Sequence, residues 1–536
     1  MGHPEDQGDR KGWRAWLAPV SLDRWTILGV LAVHLSFFPF FPSMHSANEL
    51  SRLYLAYALV DDYDVEITTK VHRHGNINDK ARVAHSLFSD KPPGTAFVAT
   101  PFIAARRALG GEPDLRADTF LARLAAGILP TLILLILLRR EMKELGVGAP
   151  TRALVLAAYG LGTLGFTYAL VYYGHQLTAV LLYAVWYLLR KGPVPPGRAA
   201  AAGFLGGLCL TTEYQSALYL LPLVVVFALR VRPFGPGLAT GLAGAALPLT
   251  ALFLYHDAAF GHPLKTGYSY VANPFFANVH EQGFMGVKTP RLEPFLNSLG
   301  GSSKGLLFFS PFLALGFFGL VSYARAATSA GTVVLRYVLV VLPILFVSSM
   351  AYWDGGWTVG QRHWTPLVPF LMAPAALLIH RCASARILAP GLMVASVGVT
   401  GVATVVYPHL PQWIANPFHD LTLPLLAGGC LADAWWANAW LAAGLFAAAI
   451  LLLAVAVVSL WPDSMGRKAL TVVILALLPL GWYDGTSRVG RLPADKAVAE
   501  QRYFVNQCKK AGRWEKEAAR PSPPRNLERL RRRLKP

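Results

Sequence analysis

The chain has 536 residues, of which 54% are hydrophobic and only 15% are charged, against about 25% charged residues in ordinary soluble domains. A soluble protein of this length could bury some excess apolar surface, but not the uncharged runs of 18 or more residues that recur here, so a soluble globular protein is excluded. The formal net charge of +19 would suit a nucleic-acid binder, but the basic residues fall in short clusters between apolar runs and in the C-terminal tail, so nucleic acid is not expected as a partner.

Apolar runs long enough to cross a hydrocarbon layer of about 30 Å recur along the whole chain. They predict an all-α, polytopic membrane protein with about 13 transmembrane helices. The polar and basic residues 1–24 come before the first run and are expected to form a cytoplasmic N-terminus, because no A-x-A cleavage site follows them. The expected spans are 25–42, 118–138, 153–171, 176–189, 199–212, 214–229, 236–255, 305–323, 333–352, 364–380, 387–407, 437–460 and 468–485.

One apolar segment, 94–105, is too short to span and contains Pro101. We expect it to be an interfacial or re-entrant helix. If it does not cross, the basic clusters between the later spans all lie in the cytoplasm, as the positive-inside rule requires. Thirteen spans place the basic tail, 486–536, on the outer side of the membrane. We expect this tail to be partly disordered.

Three outer segments are longer or more polar than simple connections, and long connections of this kind usually carry function. They are 43–117, 256–304 and 408–436. The four cysteines contain no CxxC pair and no metal-binding spacing, and we interpret them as small buried apolar residues. They are Cys209, Cys382, Cys430 and Cys508.

The first outer segment opens with Asn48, Glu49 and Arg52 in a stretch whose apolar residues recur at helical spacing. This pattern predicts an amphipathic helix lying on the membrane surface. Glu49 and Arg52 share one face of that helix and are candidate reacting groups. The structural alternative is an exposed ion pair that contributes only a few tenths of a kcal/mol.

The same segment continues with Asp90-Lys91-Pro92-Pro93. The prolines restrict the backbone, so an acid and a base are presented rigidly at the membrane rim. A lysine in this position is a good point charge for a phosphate. The structural alternative is a turn with a solvated charge pair.

Further polar residues fall at the predicted outer ends of later helices. Trp357 and Arg362 lie in a glycine-rich stretch, where the backbone can approach a ligand closely and an arginine can bind phosphate. A single histidine or glutamate at a membrane rim is more often structural, but here the unusual polar residues converge on one side. The other candidates are His175, Glu213 and Tyr214.

At these residues the sequence resembles the polyprenyl-phosphate-dependent glycosyltransferases of the GT-C superfamily, and in particular the protein O-mannosyltransferase and aminoarabinose-transferase-like group. The resemblance covers roughly 25–385. It implies a GT-C catalytic module over 25–385, with 386–485 as C-terminal transmembrane helices. Where the family has an Asp-Glu pair in the first outer loop, this chain has Asn48-Glu49. Since asparagine cannot accept a proton, the role of general base passes to Glu49 or to another residue.

The resemblance implies an inverting transfer of a sugar from a polyprenyl-phosphate donor to an acceptor hydroxyl on the non-cytoplasmic face. Glu49 and Asp90 would be the catalytic acids. Lys91, Arg362 and Arg52 would bind the donor phosphate. Substrate contacts would come from the remaining candidates, Asn48, His175, Glu213, Tyr214 and Trp357.

The implied partners are membrane lipids, a lipid-linked sugar donor and a glycan, lipid or protein acceptor, with a bacterial inner membrane as the location and the active site facing the periplasm or exterior. The cofactor is left open, since Glu49 and Asp90 would share a divalent cation with the phosphate only if they lie close together. The competing class is a transporter or lipid flippase, which would carry ionisable residues near the bilayer midplane.

Overall fold

The computed structural model describes residues 21–41, 46–284, 286–326 and 329–518. Within these ranges the chain is mostly helical, with four strands of two or three residues each, which confirms the all-α class. The helices are α1 Leu22–Ser36, α2 Ala47–Tyr57, α3 Thr68–His74, α4 Gly94–Ala108, α5 Leu115–Arg123, α6 Leu129–Glu144, α7 Ala149–Gly162, α8 Leu164–Ala169, α9 Gly174–Leu189, α10 Pro196–Thr212, α11 Ser216–Arg230, α12 Phe234–Phe260, α13 Pro274–Glu281, α14 Leu292–Gly300, α15 Leu306–Phe309, α16 Leu313–Ala326, α17 Ala330–Ser349, α18 Val368–Arg381, α19 Ala383–Ser396, α20 Val402–Val406, α21 Leu423–Ala427, α22 Ala439–Leu460, α23 Met465–Ser487 and α24 Ala494–Ala518. The strands are β1 Phe37–Phe38, β2 Ala81–Val83, β3 Ser86–Phe88 and β4 Asp433–Ala434.

Six helices of the described chain are long and apolar enough to cross a membrane. Their outward faces expose large apolar side chains, such as Leu247, Leu452 and Leu480, as expected where a helix meets lipid. The other expected spans coincide with shorter helices, so the count of 13 stays a prediction. The six are Leu115–Glu144, Phe234–Phe260, Ala330–Ser349, Ala383–Val406, Ala439–Leu460 and Met465–Ser487.

The bundle packs around α7, α9 and α18, whose side chains are buried along almost their whole length. Small residues let neighbouring helices approach closely, as is common in membrane proteins. The clearest case joins α10 to α12, where a Cβ added to Gly203 would lie 1.9 Å from the carbonyl oxygen of Gly241. A larger residue at Gly203 would therefore force these two helices apart.

The basic clusters predicted to be cytoplasmic meet one another at one end of the bundle. Arg139 and Arg152 each donate to the buried carboxylate of Asp23 at 2.7 Å. At the same end Arg386 pairs with Asp463 at 3.1 Å. The three long outer segments lie together at the opposite end, so the structure separates the two sets of connections as the charge pattern predicted.

The first outer segment contains the predicted helix, α2, but its surface placement is wrong. Every residue from Asn48 to Tyr57 is buried, because α4 and α5 cover the helix. The short segment after the two prolines forms α4, whose 15 residues extend about 22 Å and fall short of a bilayer core.

The outer segments also pair with one another through short backbone contacts. β2 and β3 form a hairpin, and Ala81 of β2 bridges to Val271 of the second outer segment. Val287 of that segment bridges in turn to Met350, at the end of α17. These contacts join residues of distant parts of the chain into one outer layer.

The C-terminal tail lies against the third outer segment, on the side that the span count predicted. Arg491 donates to the buried carboxylate of Asp420 at 2.5 Å, and Trp413 donates to Glu500 at 3.2 Å. We expect the tail to be partly disordered, and this stays a prediction; its described part ends with α24 at Ala518. The tail beyond it, like 1–20 of the predicted cytoplasmic N-terminus, lies outside the described residues.

Candidate active site

A cavity of about 950 Å³ opens at the outer end of the bundle. Its wall combines residues from all three outer segments with the outer ends of several helices. All but one of the site residues predicted from the sequence line it: Asn48, Arg52, Asp90, Lys91, His175, Glu213, Tyr214, Trp357 and Arg362. The fold therefore brings together residues that are more than 300 positions apart.

Lys91 lies between two carboxylates in this cavity. Its ammonium nitrogen is 3.0 Å from Oδ2 of Asp90 and 3.0 Å from Oδ2 of Asp79. Burial alone would lower the pKa of Lys91, but the two carboxylates outweigh it and raise this pKa. Lys91 is therefore a permanent cation. The structural alternative, a turn with a solvated charge pair, is wrong, because the three charges form a largely buried cluster.

Asp90 is 3% exposed and is held in place by hydroxyls and backbone. Ser51 donates to its Oδ1 at 3.3 Å, and Gly267 packs so closely that an added Cβ would lie 2.7 Å from the Asp90 Cα. Burial raises the pKa of Asp90, Lys91 opposes this shift and Asp79 adds to it. The result is a carboxyl group whose proton affinity is higher than usual, as in many general bases.

Arg52 forms a second charge cluster with Glu213. One of its terminal nitrogens donates to Oε1 of Glu213 at 2.8 Å, and the other donates to Oδ1 of Asn48. A Cβ at Gly174 would lie 2.4 Å from the same Glu213 oxygen, so only glycine fits there. Arg52 thus pairs across 161 positions and not with its helical neighbour.

Arg362 is the cation of the cavity wall that forms no ion pair with any carboxylate of the described residues. Its Nε donates to His363 at 3.3 Å, and its guanidinium lies 5.8 Å from the ring centre of Tyr173. Burial, together with the charge of Arg362, lowers the pKa of His363 well below its usual value. His363 is therefore neutral, and the guanidinium is available to an anion.

Two buried polar atoms near Arg362 lack a hydrogen-bond partner in the described chain. Nδ1 of His175 makes no hydrogen bond, although its side chain is buried and its ring lies 5.1 Å from that of His363. Nε2 of Gln215 is likewise without a partner. Because buried polar groups are normally satisfied, these two atoms are available to a polar ligand.

Glu49 is the predicted site residue that the structure does not bring to the cavity. Two nitrogens of Arg123 bind its two carboxylate oxygens at 3.0 Å each, and the amide of Tyr172 donates to it as well. Glu49 lines a separate void of about 10 Å³. The structural alternative, an exposed pair of Glu49 with Arg52, is wrong, because both side chains are buried and each has another partner.

The charge of Glu49 is fixed by this environment. Burial would raise its pKa, but Arg123 and His409 lower it to about 2. A carboxylate so stabilised accepts a proton poorly. Its geometry is that of a structural ion pair between the first outer segment and the start of the second predicted span.

Aromatic residues form much of the remaining cavity wall. Tyr214 donates to or accepts from Nε2 of His256 at 2.7 Å and packs against Tyr268 at 5.6 Å between ring centres. Trp357 is 38% exposed and contacts Trp413 at 5.0 Å. Flat apolar faces next to hydrogen-bonding groups suit the stacking of a sugar ring.

Two functional candidates were missed by sequence reasoning. Asp79 lies in a polar stretch typical of a surface turn. Only its contact with Lys91 in the structure identifies it as a candidate functional residue. Lys304 is 1% exposed and donates to the carbonyl oxygens of Gly356 and Thr358 at 2.6 and 2.9 Å. Burial lowers the pKa of Lys304 to about 7, and its contacts hold the glycine-rich loop that carries Arg362.

The described residues contain no group of three or more His, Cys, Asp or Glu side chains arranged to hold a metal ion. The sequence left open a cation shared by Glu49 and Asp90. That arrangement does not fit, because Arg123 occupies both oxygens of Glu49. Asp79 and Asp90 share Lys91 instead.

Comparisons with known proteins gave structural neighbours only. No family model matches the chain, and no curated protein matches it. ArnT from Cupriavidus metallidurans bound to undecaprenyl phosphate is 15% identical, with 89% of this chain and 78% of that chain covered and a TM-score of 0.49. Its apo state gives 16% identity, 88% and 78% coverage and a TM-score of 0.45.

A third solved structure, the arabinosyltransferase EmbB from Mycobacterium smegmatis, is 12% identical. The match covers 91% of this chain and 42% of the EmbB chain, with a TM-score of 0.41. All three likenesses are remote, with TM-scores below 0.5.

Proposed function

We propose that this protein is a membrane glycosyltransferase that moves a sugar from a polyprenyl-phosphate donor to an acceptor hydroxyl, with inversion at the anomeric carbon. The observation that carries the proposal is the cavity at the outer end of the bundle. In it Lys91 is flanked by two acids while Arg362 has no carboxylate partner among the described residues. A site with a poised acid and an available cation suits the departure of a phosphate.

The phosphate would bind at Arg362 and Lys91. In the transition state the bond between the sugar and the phosphate oxygen breaks, and negative charge grows on the leaving polyprenyl phosphate. Fixed cations placed where that charge develops lower the barrier. Arg52 and Lys91 both pair with carboxylates, whereas Arg362 pairs with none in the described chain. Arg362 is therefore the main contact for the leaving phosphate, Lys91 adds a second positive charge, and Arg52 holds the cavity wall.

The lipid tail of the donor would follow the apolar part of the cavity wall. Leu210, Ala217 and Phe346 line the cavity from α10, α11 and α17. Leu221 of α11 is 67% exposed, on the side of the helix that would face the lipid. The polar end of the cavity and its apolar helices thus match a donor with a charged head and a hydrocarbon tail.

Asp90 is the best candidate for the general base. It lines the cavity, and its raised pKa gives it the proton affinity that the acceptor hydroxyl requires. Glu49 meets neither condition. We therefore assign proton acceptance to Asp90, with help of about 10²–10⁴-fold in rate, and give Glu49 a structural role.

The transporter alternative gains no specific support. The buried pair of Glu141 and Arg336 lies near the inner ends of α6 and α17, and neither residue lines the outer cavity. A transport site would be expected near the midplane. The bacterial inner membrane, with the cavity facing the periplasm or exterior, is the location that fits a lipid-linked donor.

The test is mass spectrometry of polyprenyl-phosphate sugars and cell-envelope glycans from cells with and without this protein. We expect a lipid-linked sugar to accumulate in its absence and one glycan, lipid or protein modification to disappear. An Asp90→Asn variant should reproduce both changes, and the matched Arg82→Met variant, at an exposed position of the same segment, should not. Unchanged lipid-linked sugars and unchanged envelope glycans would refute the proposal.

A further inference from the structure

Two cysteines from distant parts of the chain meet on the outer side of the protein. Cys430 follows α21 in the third outer segment and is 5% exposed, and Cys508 lies on α24. Both pack into the same small apolar cluster. The thiol of Cys508 lies within hydrogen-bonding reach of the thiol of Cys430.

The contact is a consequence of how α24 is held. The buried carboxylate of Asp420 accepts from Arg491 at 2.5 Å and from the amide of Leu492 at 2.9 Å. Gln501 then donates to the Asp420 carbonyl oxygen at 3.0 Å. These bonds fix the start of α24 and its first turns against the third outer segment.

The face of α24 that meets this segment carries Cys508. Phe504, four positions earlier, is 1% exposed and packs against Tyr407 and Trp357 with ring centres 5.7 and 6.0 Å away. Residues four apart lie on one face of a helix. Cys508 is thus directed at the segment by the same packing that buries Phe504.

The other two cysteines have different surroundings. The thiol of Cys209 lies in α10 and donates to the carbonyl of Thr178 at 3.8 Å. Cys382 follows α18 at the end of the bundle where Arg386 pairs with Asp463. The sequence interpretation as small buried residues fits Cys209, but the pairing of Cys430 with Cys508 goes beyond packing.

We propose that Cys430 and Cys508 form a disulfide in the mature protein. The two thiols lose two protons and two electrons as the S–S bond forms. A protein thiol–disulfide oxidoreductase in its disulfide form takes up the two electrons and two protons and becomes a dithiol. The proposal rests on the outer location given above, because disulfides persist in extracytoplasmic compartments and are rare in the cytosol.

The bond would tie α24 to the cavity wall. The start of the third outer segment contributes His409 and Gln412 to that wall, and Trp357 of the wall contacts Phe504. The contact with Cys430, together with burial, raises the pKa of the Cys508 thiol. A thiol with a raised pKa is a poor nucleophile near neutral pH, so the reaction needs a catalyst and would not be fast in air.

The test uses the full chain in intact cells. Cells are quenched in trichloroacetic acid, all thiols are blocked with N-ethylmaleimide under denaturing conditions, and the protein is then reduced and labelled with a polyethylene-glycol maleimide. We expect two labels per chain, and a cross-linked peptide pair containing Cys430 and Cys508 in a non-reduced digest. A chain with no label after reduction would overturn the proposal.

Four single variants make the assignment specific. Cys430→Ser and Cys508→Ser should each lose both labels, whereas Cys209→Ser and Cys382→Ser should keep both. Two labels that persist in Cys430→Ser would also overturn the proposal.

The labelling needs no substrate, so its failure is separate from failure of the proposed function. Reduced thiols in a chain that still transfers sugar would refute only the disulfide. An intact disulfide in a chain without transfer would refute only the enzyme.

Discussion

The carboxylate of Glu49 is bound by the guanidinium of Arg123, with Oε1 and Oε2 each 3.0 Å from a nitrogen of that side chain. The two residues are 74 positions apart and join the first outer helix to the end of α5. Both are buried. Breaking one member of such a pair leaves a buried charge uncompensated, which costs about 3–5 kcal/mol.

We therefore predict that Glu49→Gln lowers the stability of the protein but has little effect on the rate of sugar transfer. Thermal unfolding of the purified protein should show a marked fall in midpoint temperature, while the remaining folded fraction keeps most of its kcat. The double variant Glu49→Met with Arg123→Met should regain stability, because it removes both charges. A Glu49→Gln protein with unchanged stability and no transfer would return the role of general base to Glu49.

Asp90→Asn should have the opposite signature. The amide cannot accept a proton, so kcat should fall by about 10²–10⁴-fold. The unfolding temperature and donor binding should change little, because Asp79 still compensates the charge of Lys91 at 3.0 Å. Steady-state kinetics with a defined polyprenyl-phosphate sugar would separate kcat from KM. Wild-type kcat in this variant would exclude Asp90 as the base.

The pH dependence provides an independent readout of the same group. Asp90 is active as a base only when deprotonated, so kcat should fall as the pH drops through its raised pKa. Asp79 contributes to raising that pKa. Asp79→Asn should therefore move the acid limb of the profile to lower pH, and a limb that stays in place or moves upward would contradict the assignment.

The layout of the fold could be predicted because it depends on local composition. Apolar runs gave the helices, and the positions of Lys and Arg separated the two ends of the bundle. Since Asn48, Lys91 and Arg362 were each predicted at the outer end, their meeting in one cavity followed from topology. Their individual roles stay predictions.

The contacts that distinguish the roles could not be predicted, because they depend on long-range packing. Asn48 and Glu49 are adjacent, but successive residues of a helix point about 100° apart, and only Asn48 faces the cavity. Asp79 turns inward with the strand pairing of Ala81 to Val271. Nothing in the local sequence marks the Arg123 partner of Glu49.

Arg362 is predicted to bind the donor phosphate. Arg362→Met should lower kcat/KM by about 10- to 100-fold, since hydrogen bonds to charged groups contribute about 1.5–3 kcal/mol. Arg362→Lys should recover part of this loss, because it restores the charge without the planar fork. The ratio of wild-type to Arg362→Met kcat/KM should be the same for the full-length lipid-linked donor and for a donor with a shortened lipid. An unaffected kcat/KM in Arg362→Met would exclude a role of Arg362 in phosphate binding.

Lys304 is predicted to act on the site through the loop that carries Arg362. Lys304→Met would leave the buried carbonyls of Gly356 and Thr358 without their donor, at a cost of about 1–3 kcal/mol for each group. We expect a lower unfolding temperature together with a raised KM for the donor, because the loop no longer holds Arg362 in place. Lys288→Met, at an exposed position of the second outer segment, is the matched control and should change neither quantity. If Lys304→Met lowered stability but left KM unchanged, Lys304 would be a purely structural residue and the positioning of Arg362 would have to come from its contact with Tyr173.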